Sequence, residues 1–146
     1  MRPDILLVIL GASLSAQTFD PKMPAGVPPA AGTLFETAPL RYIELQVGTG
    51  AAAKPGQEYT VHYTGWLRDG VKFDSSVDAG KPLKFVQGRR QVIAGWEMGF
   101  EGMKVGGKRR LLIPAAEAYG ATPPQGAGIP ANADLVFDIE IVKIGE

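Results

Sequence analysis

Apolar and polar residues alternate along two long segments of the chain, which predicts two half-buried β-strands. The first segment covers residues 58–67 and the second covers residues 135–144. Turn signals such as Asp69-Gly70 lie between the apolar stretches and favour hairpin connections. Shorter strands are predicted at residues 40–47, 71–74, 81–86 and 108–113.

One segment has the spacing of an amphipathic helix instead. Ile93, Trp96, Phe100 and Met103 recur at intervals of three, four and three residues, so they share one helix face. Glycines within the segment weaken the helix, and packing must therefore stabilise it. A single helix among several short strands predicts an α+β fold, in which one helix packs across an antiparallel sheet.

The first sixteen residues have the pattern of an export signal. An apolar run from Ile5 to Leu10 follows the basic Arg2, and small residues lead to Ala16. This order is typical of a secretory signal peptide, here cleaved after Ala16. The run is too short to span a bilayer, so we expect an exported, periplasmic or secreted protein with no membrane insertion after cleavage. A disordered or core-docked N-terminus is the alternative.

Residues 17–37 are predicted to form a flexible linker rich in Pro, Ala and Gly. Four prolines stand in this stretch, which has almost no hydrophobic periodicity. Such a segment buries too little apolar surface to offset the entropy lost on ordering. The folded domain is therefore expected to cover residues 38–146.

Composition removes several kinds of chemistry. The chain has no cysteine, which excludes disulfides and cysteine nucleophiles. It has one histidine, His62, so a histidine-based metal site or catalytic triad is not expected. Fifteen basic residues balance fifteen acidic ones, so the net charge gives no electrostatic attraction that would favour binding of nucleic acid. We expect no metal, no cofactor and no nucleic-acid partner. The basic runs 89–90 and 108–110 are predicted to be solvated faces.

Four blocks of sequence occur in order along the predicted domain. They are VHYTGWL with FDSS at 61–67 and 73–76, VIAGWE at 92–97, MKVGGKRR at 103–110, and AYG with LVFDI at 118–120 and 135–139. Together they resemble the FKBP-type peptidyl-prolyl cis-trans isomerase family, over about residues 38 to 146. The resemblance implies a curved antiparallel sheet wrapped around one short α-helix, with an apolar cavity between them for the substrate's proline.

The resemblance also implies roles for ten residues. Tyr119 is expected to donate a hydrogen bond to a substrate carbonyl, Asp74 to lie near the rotating amide, and Trp96 to form the cavity floor. The backbone N–H of Ile93 is expected to be a second donor. The implied catalytic residues are Tyr63, Asp74 and Tyr119, and the implied substrate-binding residues are Phe73, Leu83, Val92, Ile93, Trp96, Ile129 and Phe137.

The implied activity is rotation of Xaa-Pro peptide bonds in exported proteins, which assists their folding. This reaction needs no nucleophile, because no covalent bond breaks when an amide rotates. The alternative is a non-catalytic chaperone or proline-peptide binding module that uses the same pocket. The expected partners are proline-containing polypeptides and inhibitory macrolides, and the protein is expected to be a monomer.

Two positions depart from the family pattern. Ala79 stands where the family commonly has an arginine that pairs with Asp74, and Leu83 stands where it commonly has a phenylalanine. An aliphatic wall at Leu83 offers less contact area than an aromatic ring, so macrolides are expected to bind less tightly.

Overall fold

The computed structural model describes residues 17–19, 25–30, 32–37 and 39–145, and the predicted signal peptide, residues 1–16, lies outside them. The described residues form one sheet in which every pairing is antiparallel. The order of its strands is β1-β2-β3-β7-β8-β4-β5, and β6 pairs with β4 as well. The strands are β1 (Gln17–Phe19), β2 (Gly32–Thr37), β3 (Leu40–Gln46), β4 (Glu58–Leu67), β5 (Lys72–Ser75), β6 (Leu83–Val86), β7 (Lys108–Ile113) and β8 (Leu135–Ile144).

The two segments with the clearest alternation are neighbours in the middle of the sheet. β4 pairs with β8 along its whole length, with Leu67 opposite Leu135 at one end and Tyr59 opposite Ile144 at the other. Four alternate residues of β8 are buried in the main hydrophobic core: Leu135, Phe137, Ile139 and Ile141. The face that carries these residues is called the inner face below, and the predicted alternation of β8 is confirmed.

The main helix packs on the inner face. It is α2 (Ala94–Gly99), which is shorter than the periodicity from residue 93 to 103 suggests. Trp96, within the helix, and Phe100, directly after its last residue, are both buried against the sheet. The helix lies so close to β7 that a Cβ on Gly95 would stand 2.5 Å from the side chain of Ile113, so only glycine fits there. The predicted α+β fold is confirmed.

Two further helical turns were not predicted. Helix α1 (Ser76–Ala79) begins after Ser75, whose hydroxyl accepts a hydrogen bond from the Asp78 N–H at 3.1 Å. A 3-10 helix at Ala115–Glu117 follows β7. None of the helices in the described part of the chain is long and apolar enough to cross a bilayer.

The outer face of the sheet carries a second apolar cluster, and this corrects the prediction of a linker. Residues 32–37 of that segment form β2, which pairs with β3 so that Leu34 lies opposite Ile43. Leu34 is 2% exposed, and Val27 is also buried, so part of the supposed linker covers the sheet. The outer cluster consists of Val27, Leu34, Ile43, Trp66, Leu112 and Val136.

Two arginines of β7 are buried, which corrects the prediction that residues 108–110 form a solvated face. Arg109 is 4% exposed and Arg110 is 2% exposed. Arg109 donates to the Gly99 carbonyl at 2.8 Å and pairs with Glu44 on the inner side. Arg110 donates to both carboxylate oxygens of Asp138, at 2.6 and 2.8 Å, and to the Pro28 carbonyl at 2.6 Å. Both charges are therefore compensated by hydrogen bonds, as burial requires.

Candidate active site

A cavity of about 170 Å³ opens on the inner face beside α2. Strands β4, β5, β6 and β8 supply part of its lining, and the loop before α2 supplies another part. The lining residues are Tyr63, Phe73, Asp74, Leu83, Gln91, Val92, Ile93, Trp96, Tyr119 and Phe137. Nine of the ten residues that the sequence singles out are thus brought together around one cavity.

Ile129 and Gln91 are the two differences from the expected lining. Ile129 is half-buried and packs against the main core, but it is not among the residues that line the cavity. The loop that carries it lies between the 3-10 helix and β8, where alignment by motif is weakest. Gln91 lines the cavity although it belongs to none of the motif blocks. Its position directly before Val92 and Ile93 was the only available signal.

Trp96 forms the buried end of the cavity within a cluster of aromatic rings. Its ring centroid lies 5.0 Å from that of Tyr63 and 5.3 Å from that of Phe137, and both pairs are edge-to-face. Such pairs stabilise the cluster beyond the gain from burial alone. The indole Nε1 is buried and has no hydrogen-bond partner within the described residues. The floor of the cavity is therefore rigid and apolar, with one unpaired N–H.

A glycine in β4 makes room for two of the aromatic walls. The rings of Phe73 and Phe137 meet edge-to-face with centroids 5.5 Å apart. A Cβ on Gly65 would stand 2.6 Å from the Phe73 ring and 2.7 Å from the Phe137 ring. The absence of a side chain at Gly65 therefore allows both rings to reach the cavity.

Tyr63 and Asp74 form a hydrogen-bonded pair at the cavity wall. The Tyr63 hydroxyl donates to Asp74 Oδ2 at 2.6 Å, and the Ser75 backbone N–H donates to Asp74 Oδ1 at 2.9 Å. Burial, and then the hydrogen bond and charge of Asp74, raise the pKa of Tyr63. Tyr63 therefore stays protonated near neutral pH, and its hydroxyl fixes the exposed carboxylate in one position.

Tyr119 supplies a second hydroxyl to the cavity. It follows the 3-10 helix and is half-buried. Burial raises the pKa of Tyr119 above its ordinary value, and the negative charge of Asp74 raises it further. The phenol is therefore neutral under physiological conditions and available as a hydrogen-bond donor.

The residue before α2 offers a backbone donor beside these hydroxyls. Ile93 has extended backbone angles, and its carbonyl accepts from the N–H groups of Trp96 and Glu97 at 3.0 and 3.2 Å. Its own N–H is not used in a hydrogen bond within the described residues. The cavity thus combines apolar walls with a few hydrogen-bond donors.

In the described part of the chain, no three carboxylate, histidine or cysteine side chains are grouped so as to hold a metal ion.

Comparisons with known proteins place this site in a family. A sequence profile of the family described as FKBP-type peptidyl-prolyl cis-trans isomerase matches residues 49–142. A protein called FK506-binding protein from Neisseria meningitidis serogroup A is 53% identical over 105 residues, which are 70% of this chain and 94% of the relative. FK506-binding protein 2 of Dictyostelium discoideum is 52% identical over 93 residues, or 62% of this chain and 68% of the relative.

Solved structures show the same relationship. The crystal structure of FkpA from Escherichia coli matches with a TM-score of 0.64 and 41% identity, over 73% of this chain and 48% of that one. The crystal structure of AtFKBP13 matches with a TM-score of 0.65 and 40% identity, over 71% of this chain and 91% of that one. The expected family is confirmed by both comparisons: the chain belongs to the FKBP-type peptidyl-prolyl cis-trans isomerase family.

Proposed function

We propose that this protein catalyses cis/trans isomerisation of Xaa-Pro peptide bonds in exported polypeptides and thereby assists their folding. The observation that carries the proposal is the aromatic-lined cavity on the inner face, with the Tyr63 and Asp74 pair at its wall. Family membership supports the same reaction. Xaa-Pro bonds are the natural substrate because only they have cis and trans forms of similar free energy.

The cavity provides what this rotation requires. The barrier is about 18–20 kcal/mol and comes mostly from lost C–N resonance. The planar amide is more charge-separated than the twisted amide, so removal of water by apolar walls disfavours the ground state relative to the transition state. Trp96 and Phe137 supply such walls. Only interactions that favour the twisted geometry accelerate the reaction, because uniform binding does not lower the barrier.

The hydrogen-bonding groups position the peptide rather than react with it. The neutral Tyr119 hydroxyl donates to a substrate carbonyl, and the Ile93 N–H is the second donor. Asp74, held by Tyr63 and by the Ser75 N–H, lies near the rotating amide. No proton transfer is needed in this scheme, which suits a site whose donors to the peptide are a neutral phenol and a backbone amide.

The direct test is a protease-coupled isomerisation assay on short Xaa-Pro peptides. The apolar lining, which includes Val92 and Leu83, favours a bulky apolar residue before the proline. A peptide with leucine before the proline is therefore expected to have a higher kcat/KM than one with glutamate there. Equal kcat/KM values for the two peptides would contradict this pocket chemistry. Peptide binding without any acceleration would instead support the non-catalytic binding module.

Export is part of the proposal and needs its own test. Its support is the signal-like pattern of residues 1–16. Intact-mass measurement of the natural protein recovered from the periplasm or medium should give a chain that begins at Gln17. A chain that keeps its first sixteen residues and stays in the cytoplasm would contradict export. The same sample, run through size-exclusion chromatography with light scattering, tests the expected monomer.

Macrolides of the FK506 type are proposed to occupy the same cavity, because relatives at 53% identity carry the name FK506-binding protein. Leu83 lies at the exposed rim and gives this cavity an aliphatic wall. Leu83→Phe should tighten macrolide inhibition, since an aromatic ring adds contact area. Unchanged or weaker inhibition would show that position 83 does not contact the inhibitor.

A further inference from the structure

We infer that Gln91, at the mouth of the cavity, binds a backbone carbonyl next to the substrate's proline through its carboxamide N–H groups and so sets peptide affinity. The inference rests on the proposed function of the same site. Apart from Asp74, the other lining residues are apolar or aromatic. Gln91 is exposed, which places it at the open side of the cavity rather than at its buried end.

The side-chain amide of Gln91 is oriented by the neighbouring strand. Its Oε1 accepts a hydrogen bond from the Val86 N–H, at the end of β6, at 2.8 Å. A carboxamide has one acceptor end and one donor end. With the acceptor end bound to β6, the donor end remains, and Nε2 donates to no acceptor within the described residues. Two oriented N–H groups are therefore available at the cavity mouth.

The loop that carries Gln91 is fixed before any substrate binds. The carboxylate of Glu97 accepts from the Gly88 N–H at 2.7 Å and from the Arg90 N–H at 3.1 Å. Arg90 has a φ of 56°, a left-handed conformation that is unfavourable for an arginine and is held here by the bond to Glu97. The Gln87 side chain also donates to the Glu97 carbonyl at 3.0 Å. A donor on such a loop loses little entropy when it binds.

The chemistry of a prolyl peptide suits a neutral donor. Proline has no backbone N–H, so the polar groups next to it are mainly carbonyl oxygens, which accept hydrogen bonds. The amide of Gln91 can meet such a carbonyl without the desolvation cost of a charged group. Gln91 stands at the mouth and Trp96 at the buried end, so Gln91 is expected to affect peptide binding more than the rotation itself.

Gln91→Glu separates the donor from the structural role of the side chain. A carboxylate oxygen still accepts from the Val86 N–H, but the variant has no N–H to donate. For a neutral Leu-Pro peptide we expect kcat/KM to fall on the order of three- to tenfold, the value of one hydrogen bond, through a higher KM. A peptide with lysine next to the proline should lose less, because the new carboxylate attracts its charge.

Gln57→Glu is the matched control. The Gln57 side chain also accepts from a backbone N–H, that of Lys54 at 3.1 Å, and it lies outside the cavity. This variant adds the same charge, and its KM for both peptides should equal that of the wild type. Thermal unfolding of both variants should match the wild type within experimental error.

Three results would overturn the inference: unchanged KM for all peptides in Gln91→Glu, a fall in kcat alone, or a lowered unfolding midpoint that accounts for the loss. If the wild type accelerates no isomerisation, the proposed function fails instead. Calorimetric binding of the same peptides then tests Gln91 separately, because weaker binding by Gln91→Glu supports the inference and equal binding overturns it.

Discussion

The inner and outer faces of the sheet are both apolar, yet they are covered in different ways. On the inner face, α2 and its aromatic cluster leave a cavity in which Tyr63 and Tyr119 are only half-buried. On the outer face, Val27 and Leu34 cover the second cluster, and the buried Arg110 joins this cover to the sheet through the Pro28 carbonyl. The outer face also carries a cavity, of about 190 Å³, but its lining includes the polar or charged side chains of His62, Thr64, Asp138 and Glu140.

This difference separates two kinds of residue. Substitutions in the aromatic cluster around Trp96 should affect both folding stability and peptide turnover, because the same rings form the core and the cavity. Substitutions in the outer cluster should affect stability alone, because the sheet lies between them and the cavity. The two faces therefore differ in whether a substitution that lowers the stability of the protein also lowers the activity of its folded form.

The largest effect is expected from Trp96→Ala. Removal of this buried ring should lower the free energy of unfolding by about 3–5 kcal/mol, and kcat/KM should fall because the cavity loses its floor. Chemical denaturation and the peptide assay measure the two effects. Trp96→Phe keeps a smaller aromatic ring and removes an N–H that has no partner within the described residues, so it should be clearly less harmful than Trp96→Ala. A stable and active Trp96→Ala protein would show that this residue is not part of the site.

The next effect is expected from Arg110→Ala on the outer face. The change leaves Asp138 and the Pro28 carbonyl without their donor and should cost about 3 kcal/mol of unfolding free energy. The folded fraction should keep wild-type kcat/KM. Lys108→Ala, an exposed position on the same strand, is the control and should change stability by less than about 0.5 kcal/mol. A loss of turnover in folded Arg110→Ala would contradict the separation of the two faces.

A somewhat smaller effect is expected from Leu34→Ala, which tests whether the N-terminal segment belongs to the folded unit. Leu34 is buried in the outer cluster, so the variant should lose about 2–3 kcal/mol of unfolding free energy. Val77→Ala removes apolar atoms at an exposed position and serves as the control. Equal stability of both variants would indicate that residues 32–37 do not pack on the sheet in solution.

The smallest effect on stability, with a modest effect on activity, is expected from Asp74→Asn. The amide is nearly isosteric, and its oxygen still accepts a hydrogen bond from the Tyr63 hydroxyl or the Ser75 N–H. If the apolar cavity supplies most of the catalysis, kcat/KM should fall only a few-fold, whereas Asp74→Leu, which accepts neither bond, should be more harmful. Abolished turnover in Asp74→Asn would mean that the negative charge is essential.

Much of the inner face could be predicted from sequence because its signals are local. The alternation in residues 135–144 and the three-and-four spacing around Trp96 each report one buried face of one element. The motif blocks then bring nine of the ten expected residues to one cavity. The helix ends earlier than predicted because the chain turns after Phe100 while its side chain remains buried.

The outer face could not be predicted because its stability depends on partners far along the chain. Residues 17–37 have the composition of a linker, and only the pairing of residues 32–37 with β3 and the contacts of Val27 show otherwise. Arg109 and Arg110 resemble a solvated basic run until Glu44 and Asp138 are placed beside them. Gln91 was missed for a different reason: its bond to the Val86 N–H spans only five residues, but it depends on the loop conformation, which no sequence motif specifies.

The central claim is that the cavity of the inner face accelerates prolyl rotation. NMR exchange spectroscopy on one Leu-Pro peptide measures this directly and needs no coupling protease. The account predicts that substoichiometric wild-type protein increases the cis/trans exchange rate, that folded Leu34→Ala does so equally, and that folded Trp96→Ala does not. An exchange rate unchanged by folded wild-type protein, or one equally increased by Trp96→Ala, would contradict it.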